Sequence, residues 1–222
     1  MKAWAAIFDM DGVVADTNAF HQAAWRKFAQ DLGRDLSEAD LERNVYGRTN
    51  ADITSFLLGP GVDVQRMNQV ADAKEALFRE WSKGRLAPVA GLPELLEALA
   101  AERVDLALAT SAPPENASFV LAETGLARFF AVMVDSTSVA RSKPAPDIFL
   151  AAARDLAVAP DRCLVFEDSL SGIEAGRAAG MTVVGVATTH SLAELAPHCA
   201  LAVKDFQGLA PDSLAALLPD NA

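Results

Sequence analysis

The sequence is poor in cysteine and has no long apolar run, and each shortage excludes a class of protein. Only Cys163 and Cys199 are present among its 222 residues. Two thiols cannot form the set of disulfides that small secreted domains rely on, and their spacing matches no metal-binding motif. No stretch of 18 apolar residues occurs, so the sequence predicts no membrane-spanning segment.

Basic residues are also scarce. The sequence has 19 Lys and Arg against 30 Asp and Glu, which gives a formal net charge of -11. A surface this acidic repels nucleic-acid phosphates and anionic lipids, so we expect neither nucleic acid nor membrane as a partner. A small phosphorylated substrate is still compatible, because it needs only a local positive pocket. Acidic residues interrupt the apolar opening segment and no cleavage pattern follows, so we expect a soluble, cytoplasmic protein.

The composition that is present belongs to a folded protein, with 51% hydrophobic and 22% charged residues. Six short apolar runs predict strands, at 3–8, 104–109, 131–134, 163–166, 182–186 and 201–203. Segments with helical spacing of apolar residues lie between several of them, at 93–101, 117–124 and 147–156. Strands that alternate with helices predict an α/β protein with a covered parallel sheet.

The interval 17–85 breaks this alternation because it contains no convincing strand. The first of three helices predicted there presents an apolar face made of Phe20, Ala24, Phe28 and Leu32. The other two begin near Ser37 and Gln65. We therefore predict a small helical domain over 17–85, inserted into a core that is formed by 1–16 and 86–222.

Two acidic pairs follow predicted strands. Asp9 and Asp11 end the first apolar run, and Glu167 and Asp168 end the fourth. In open α/β sheets, ligands bind beyond the carboxyl ends of the strands. Oxygen ligands of this kind suit a hard cation such as Mg²⁺. A polar turn would explain the first pair equally well, and a helix N-cap would explain the second.

Two further polar motifs follow the intervening strands. Thr110 and Ser111 come after the second strand, where a hydroxyl and the backbone N–H groups of a turn can hold phosphate oxygens. Lys143 follows the third strand and could neutralise a phosphoryl group or an aspartate. Each motif alone is a weak signal, since hydroxyls are common after strands and a surface lysine is usually solvated. The order of all four motifs is far more specific.

This order of motifs resembles the haloacid dehalogenase-like hydrolase superfamily, and within it the β-phosphoglucomutase-like and sugar-phosphatase branch. The resemblance covers nearly the whole chain and rests on residues 8–13, 108–111, 142–149 and 166–176. It implies a Rossmann-like, doubly wound parallel sheet as the catalytic core, with the helical insertion as an α-helical cap domain.

The resemblance also implies a role for each motif residue. Asp9 would be the nucleophile that takes the phosphoryl group, and Asp11 would protonate the leaving oxygen and then activate the acceptor. Mg²⁺ would be held by Asp9, the backbone carbonyl of Asp11, Asp168 and Glu167. The phosphoryl oxygens would be held by Thr110, Ser111 and Lys143. The intact second aspartate favours phosphate-ester transfer over the other chemistries of the family.

The predicted cap domain bears on whether the enzyme is a hydrolase or a mutase. His21 and Lys74 stand where the similar mutase has a histidine and a lysine, and we expect both to be near the substrate. Asn50 stands where the mutase has a phosphate-binding arginine, with Arg48 two residues earlier, and Pro113 replaces another polar holder. A mutase must retain a second phosphate, so these replacements favour a phosphatase.

We therefore predict a Mg²⁺-dependent phosphatase for a small phosphorylated metabolite, in particular a sugar phosphate. A β-phosphoglucomutase-type mutase is the first alternative. A non-catalytic binding protein of the same fold is the second, although every expected catalytic position is filled. The sequence leaves the oligomeric state open, with a monomer favoured.

Overall fold

The protein is described by a computed structural model that covers residues 4–45 and 49–219. The chain divides into two compact units. Met1–Asp16 and Leu86–Ala222 form the first, which we call the sheet unit, and Thr17–Arg85 form the second, the helical unit. None of the helices in the described residues has the length and apolar character needed to cross a membrane.

The sheet unit is built on a six-stranded sheet with the order β3-β2-β1-β4-β5-β6. Its strands are Ala5–Phe8 (β1), Asp105–Ala109 (β2), Val132–Val134 (β3), Cys163–Glu167 (β4), Thr182–Val186 (β5) and Leu201–Val203 (β6). Every neighbouring pair is parallel. This is the strand order of a Rossmann-like doubly wound sheet, so the predicted fold class is confirmed.

The described residues contain ten α-helices in addition to the sheet. They are Asn18–Asp31 (α1), Glu38–Asn44 (α2), Asn50–Leu58 (α3), Val64–Ser82 (α4), Leu92–Ala101 (α5), Pro114–Thr124 (α6), Asp147–Asp155 (α7), Leu170–Ala178 (α8), Leu192–Leu195 (α9) and Pro211–Ala215 (α10). The first four belong to the helical unit. In the sheet unit, α7 packs against β1, β2 and β3, and α8 packs against β4 and β5.

The central strands are apolar throughout because both faces of the sheet are covered. All four residues of β1 are completely buried. Ile7 belongs to the same core cluster as Val165 and Phe149. Its neighbour Phe8, on the opposite face, stacks on Phe166 with ring centroids 4.5 Å apart. Successive residues therefore pack into two different layers, as expected for a strand covered on both sides.

The helical unit has a core of its own. The buried cluster consists of Trp25, Ala29, Leu36, Leu41, Val45, Ile53, Leu57 and Val70. The predicted apolar face of α1 was wrong at one end, because Leu32 is 38% exposed. The helix ends at Asp31, so the periodic face does not continue to residue 32.

The helix α3 was not predicted, although its start carries a recognisable signal. Thr49 is its N-cap and accepts a hydrogen bond from the backbone N–H of Asp52, whose side chain accepts in return from Thr49. The same capping box between Ser37 and Asp40 begins α2, where a helix was predicted. Asn50 is therefore the first residue of a helix rather than part of a loop.

Candidate active site

The predicted site residues of the sheet unit come together because three parallel strands end side by side. In the register of the sheet, Phe8 of β1 is opposite Leu108 of β2 and Phe166 of β4. The backbone N–H of Asp9 donates to the Phe166 carbonyl at 3.0 Å, which holds the start of the loop after β1 against β4. The strand order reverses direction between β1 and β4, which is where doubly wound sheets bind ligands.

Lys143 connects two of the predicted carboxylates. Its Nζ donates to Asp9 Oδ1 at 2.6 Å and to Glu167 Oε1 at 2.7 Å. The lysine side chain is only 8% exposed, so the ordinary interpretation of Lys143 as a solvated surface residue was wrong. Its charge is shared between two acidic groups that are separated by most of the chain.

Three buried carboxylates form a compact cluster around this lysine. Oxygen atoms of Asp9, Glu167 and Asp168 all lie within 4.8 Å of one another. A single ammonium group cannot offset three buried carboxylates, and like charges at this distance disfavour one another. The donor set consists of hard oxygen atoms only, which is the set that Mg²⁺ prefers. The cluster therefore fits a divalent cation.

The charge imbalance appears in the pKa values of the cluster. Burial raises the pKa of Asp9 to about 7, with the carboxylates of Glu167 and Asp11 adding to the effect and Lys143 opposing it. Burial also raises the pKa of Asp168 well above its usual range, and the charges of Glu167 and Asp9 raise it further. The neighbouring carboxylates thus destabilise the ionised forms of Asp9 and Asp168, an effect that an additional cation would reverse.

Two glycines allow the carboxylates to lie where they do. Gly12 has φ +78°, and a Cβ built on it would lie 1.9 Å from Asp168 Oδ2. Gly172 lies in the first turn of α8, where a Cβ would lie 1.7 Å from Glu167 Oε1. Any larger residue at either position would have to displace a buried acidic side chain. The close approach of backbone to carboxylate thus explains both glycines.

The second oxygen of Glu167 is held from the start of α8. Glu167 Oε2 accepts from the backbone N–H of Ser169 at 2.8 Å and from its hydroxyl at 3.0 Å. Ser169 is itself the N-cap and accepts from the backbone N–H of Gly172. The alternative interpretation of Glu167 and Asp168 as helix-capping residues was therefore wrong.

Two threonines in the loop after β5 were missed as members of this site. The hydroxyl of Thr188 donates to the Gly12 carbonyl at 2.6 Å, and the hydroxyl of Thr189 donates to Asp168 Oδ2. The sequence carried a weak signal, because Thr188 and Thr189 lie two and three residues after the fifth predicted strand, which runs parallel to β4.

The predicted phosphate-binding hydroxyls differ in exposure. Thr110 is 1% exposed, and its hydroxyl oxygen accepts from the backbone N–H of Ala112 at 3.0 Å. Ser111 is exposed and lines a cavity of about 230 Å³ together with Ser142. Asp11 is half-buried and its side chain is not part of the three-carboxylate cluster. A metal contact through its backbone carbonyl stays a prediction.

Three of the four predicted cap residues meet around one acidic side chain of the helical unit, that of Glu75. Lys74 Nζ lies 2.7 Å from His21 Nδ1 and donates to Glu75 Oε1 at 2.9 Å. Asn50 Nδ2 donates to the same Glu75 oxygen at 2.6 Å. Lys74 is 2% exposed, so its ammonium group is buried within this polar cluster. The other predicted cap residue, Arg48, lies outside the described residues.

Glu75 was not predicted, and it determines the charge of this polar cluster. Burial alone would raise its pKa, but the charge of Lys74, the neighbouring His21 and the hydrogen bond from Asn50 lower it below the usual range. Glu75 is therefore ionised and neutralises the lysine beside it. Adjacent residues of a helix usually point in different directions, so the sequence gives no sign that Lys74 and Glu75 form an ion pair.

The chain belongs to the haloacid dehalogenase-like hydrolases, because the model of this family matches residues 5–180. The curated phosphorylated carbohydrates phosphatase of Thermotoga maritima is 36% identical over 194 residues, which cover 85% of this chain and 86% of that protein. The β-phosphoglucomutase of Bacillus subtilis is 34% identical over 191 residues, which cover 82% of each chain.

Among solved structures, a hydrolase of this family from Entamoeba histolytica, family IA variant 3, is similar over nearly its whole length. The TM-score is 0.90 at 28% sequence identity, and the alignment covers 96% of this chain and 98% of that one. The relatives thus include a phosphatase and a mutase, so membership of the family does not decide which of the two reactions this chain catalyses.

The close contact at Gly172 gives a direct test of the site geometry. Alanine within a helix is usually more stable than glycine, by about 0.5–1 kcal/mol in the helix interior. Gly172→Ala should do the reverse, because its methyl group would displace Glu167 from Lys143. We expect a lower melting temperature and at least about a tenfold loss of kcat/KM, or about 1.4 kcal/mol of transition-state stabilisation.

Gly176→Ala in the same helix is the matched control. There a Cβ would lie 2.8 Å from a methyl group of Val183 and contacts no acidic residue. This variant should lose some stability but keep its activity at temperatures where it is folded. Equal activity of the two folded variants would show that Glu167 does not occupy the position described.

Proposed function

We propose that the protein is a Mg²⁺-dependent phosphatase that hydrolyses a small phosphorylated metabolite, a sugar phosphate, through an aspartyl-phosphate at Asp9. The observation that carries the proposal is the ion pair between Asp9 and Lys143 beside Glu167 and Asp168. It combines a nucleophile at a strand end, a cation for the phosphoryl group and a hard-oxygen metal site. The named activities of the phosphatase relatives are consistent with it.

Asp9 is the nucleophile of the proposed reaction. One of its oxygens attacks phosphorus, so that an O–P bond forms and the bond from phosphorus to the sugar oxygen breaks. An anionic carboxylate approaches an anionic phosphate only if nearby cations offset the repulsion. Lys143, which already contacts Asp9 Oδ1, supplies one positive charge next to the reacting atoms.

Asp11 is the acid and base of the proposed reaction. In the first step its carboxyl proton goes to the departing sugar oxygen. In the second step its carboxylate takes a proton from the water that attacks phosphorus, which releases inorganic phosphate and restores Asp9. Thr110 holds a phosphoryl oxygen by donating its O–H to it, while its hydroxyl oxygen accepts from the Ala112 N–H at 3.0 Å.

The metal site would be formed by the buried carboxylates of Asp9, Glu167 and Asp168. When bound there, Mg²⁺ supplies positive charge that offsets the carboxylates and the phosphoryl oxygens. The three side chains fit this role because they offer oxygen donors within 4.8 Å of one another in a buried setting.

The pairing of Lys74 with Glu75 in the polar cluster of the helical unit favours hydrolysis over the mutase reaction. A mutase must hold a second phosphate through its intermediate, which calls for a cation that is available to it. The charge of Lys74 is neutralised by Glu75, and Asn50 also donates to Glu75. A second phosphate would have to compete with this buried carboxylate, whereas the uncharged hydroxyls of a sugar would not.

The nucleophile is tested by Asp9→Asn. Asparagine is nearly isosteric but cannot form the acyl phosphate, so kcat for a sugar phosphate should fall by about 10⁴-fold or more with little change in folding. Asp105→Asn is the control, because this exposed aspartate lies at the opposite end of the neighbouring strand β2. Substantial turnover by pure Asp9→Asn would contradict the assignment.

The metal is tested by removal and by Asp168→Asn. Excess chelator should abolish phosphate release, and Mg²⁺ should restore it. The variant should need a much higher Mg²⁺ concentration for half-maximal activity, because one of three charged ligands is lost. Full activity in chelator would show that the acidic cluster does not serve as a metal site.

The choice between phosphatase and mutase is tested by product analysis. With β-glucose 1-phosphate and a catalytic amount of the bisphosphate, we expect release of inorganic phosphate. Glucose 6-phosphate should be a minor product, since the helical unit offers Lys74 only in its pair with Glu75. Efficient conversion to glucose 6-phosphate without phosphate release would replace the hydrolase proposal by the mutase.

A further inference from the structure

The loop after β5 is fixed to the loop after β1. The backbone N–H of Ala187 donates to the Val203 carbonyl at 2.8 Å, which continues the pairing of β5 with β6. One residue later, the hydroxyl of Thr188 donates to the Gly12 carbonyl at 2.6 Å. This contact joins residues 176 positions apart, so the position of the loop is set by the same turn that follows Asp9.

The fixed loop places a hydroxyl on one oxygen of Asp168. Thr189 donates to Asp168 Oδ2, and the Thr188 hydroxyl lies 3.4 Å from the same oxygen. Gly12 adjoins this oxygen so closely that a Cβ there would lie 1.9 Å from it. Asp168 Oδ2 is therefore enclosed by backbone on one side and by hydroxyls on another.

A carboxylate held in this way cannot rotate freely. Donation to one oxygen fixes the plane of the group and therefore the direction in which the other oxygen presents its lone pairs. Asp168 belongs to the buried three-carboxylate cluster, in which repulsion between like charges would otherwise favour turning one group away. Before a cation binds, a hydrogen bond to Asp168 thus keeps its carboxylate from turning away from Asp9 and Glu167.

We propose that Thr189 is a positioning residue that holds Asp168 in the orientation required for Mg²⁺, with Thr188 anchoring its loop to the turn after Asp9. The inference rests on the proposed metal role of the cluster. Removing a residue that orients a metal ligand typically weakens metal affinity by about 10–100-fold. Thr189 does not contact the phosphoryl group in this proposal and acts through Asp168.

The test measures Mg²⁺ binding to the full chain without substrate. Melting temperatures are recorded in chelator and at increasing Mg²⁺ concentrations, and the stabilisation gives an apparent Kd. Thr189→Val removes the hydroxyl at nearly constant shape and should raise this Kd about 10–100-fold. Thr189→Ser keeps the hydroxyl and should restore a Kd close to that of the original chain.

Thr124→Val is the matched control. Its hydroxyl donates to the Val120 carbonyl at 2.7 Å near the end of α6 and contacts no carboxylate of the cluster. This variant should bind Mg²⁺ unchanged, even if it melts at a lower temperature. In chelator, Thr189→Val should melt close to the original chain because residue 189 is exposed. Thr189→Ala provides a second deletion of the hydroxyl.

Activity gives an independent measure of the same effect. Thr189→Val should need about 10–100 times more Mg²⁺ for half-maximal rate but recover most of kcat at saturating Mg²⁺. A merely structural role would lower kcat at all Mg²⁺ concentrations.

Two results would overturn the inference while the proposed function survives. One is unchanged Mg²⁺ affinity of Thr189→Val when Asp168→Asn has lost binding, and the other is equal weakening in Thr189→Ser and Thr189→Val. Absence of Mg²⁺ binding by the original chain would overturn both the inference and the proposed metal dependence.

Discussion

The imbalance of charge around Lys143 is the constraint on which the rest of the site depends. One buried ammonium group contacts Asp9 and Glu167, and the carboxylate of Asp168 lies in the same cluster. The pair interactions stabilise the ionised forms, but three carboxylates exceed one lysine, and burial makes the excess costly. An added cation would offset this excess, which is why the cluster fits a divalent metal ion.

The fold makes this concentration of charge possible. Parallel strands bring residues that are distant in sequence to one edge, so that Asp9 and Lys143 meet across 134 positions. The apolar strands behind them, covered on both faces, provide the rigid support that a strained acidic cluster needs. Gly12 and Gly172 then allow the backbone to approach the carboxylates more closely than any side chain would permit.

Features of the site that depend on where strands end could be predicted from the sequence. Features that depend on the direction of individual side chains could not. Strand positions and motif order were sufficient for the parallel sheet and for the positions of Asp9, Asp168 and Lys143. The burial of Lys74 could not be read from the sequence, because a charged residue on a helix is solvated unless a partner such as Glu75 is buried with it. Thr189 was missed because a hydroxyl residue after the fifth predicted strand is a weak signal, and only the loop contact with Asp168 identifies its role.

The central claim is that Asp9 becomes phosphorylated during turnover, and it can be tested by rapid acid quench followed by mass spectrometry of the peptide that contains Asp9 and Asp11. With a sugar phosphate and Mg²⁺, one phosphoryl group should appear on Asp9 at early times and disappear as substrate is consumed. The Asp9→Asn variant should carry none. A phosphoryl group on a different residue, or full turnover with no modified peptide at any quench time, would contradict the account.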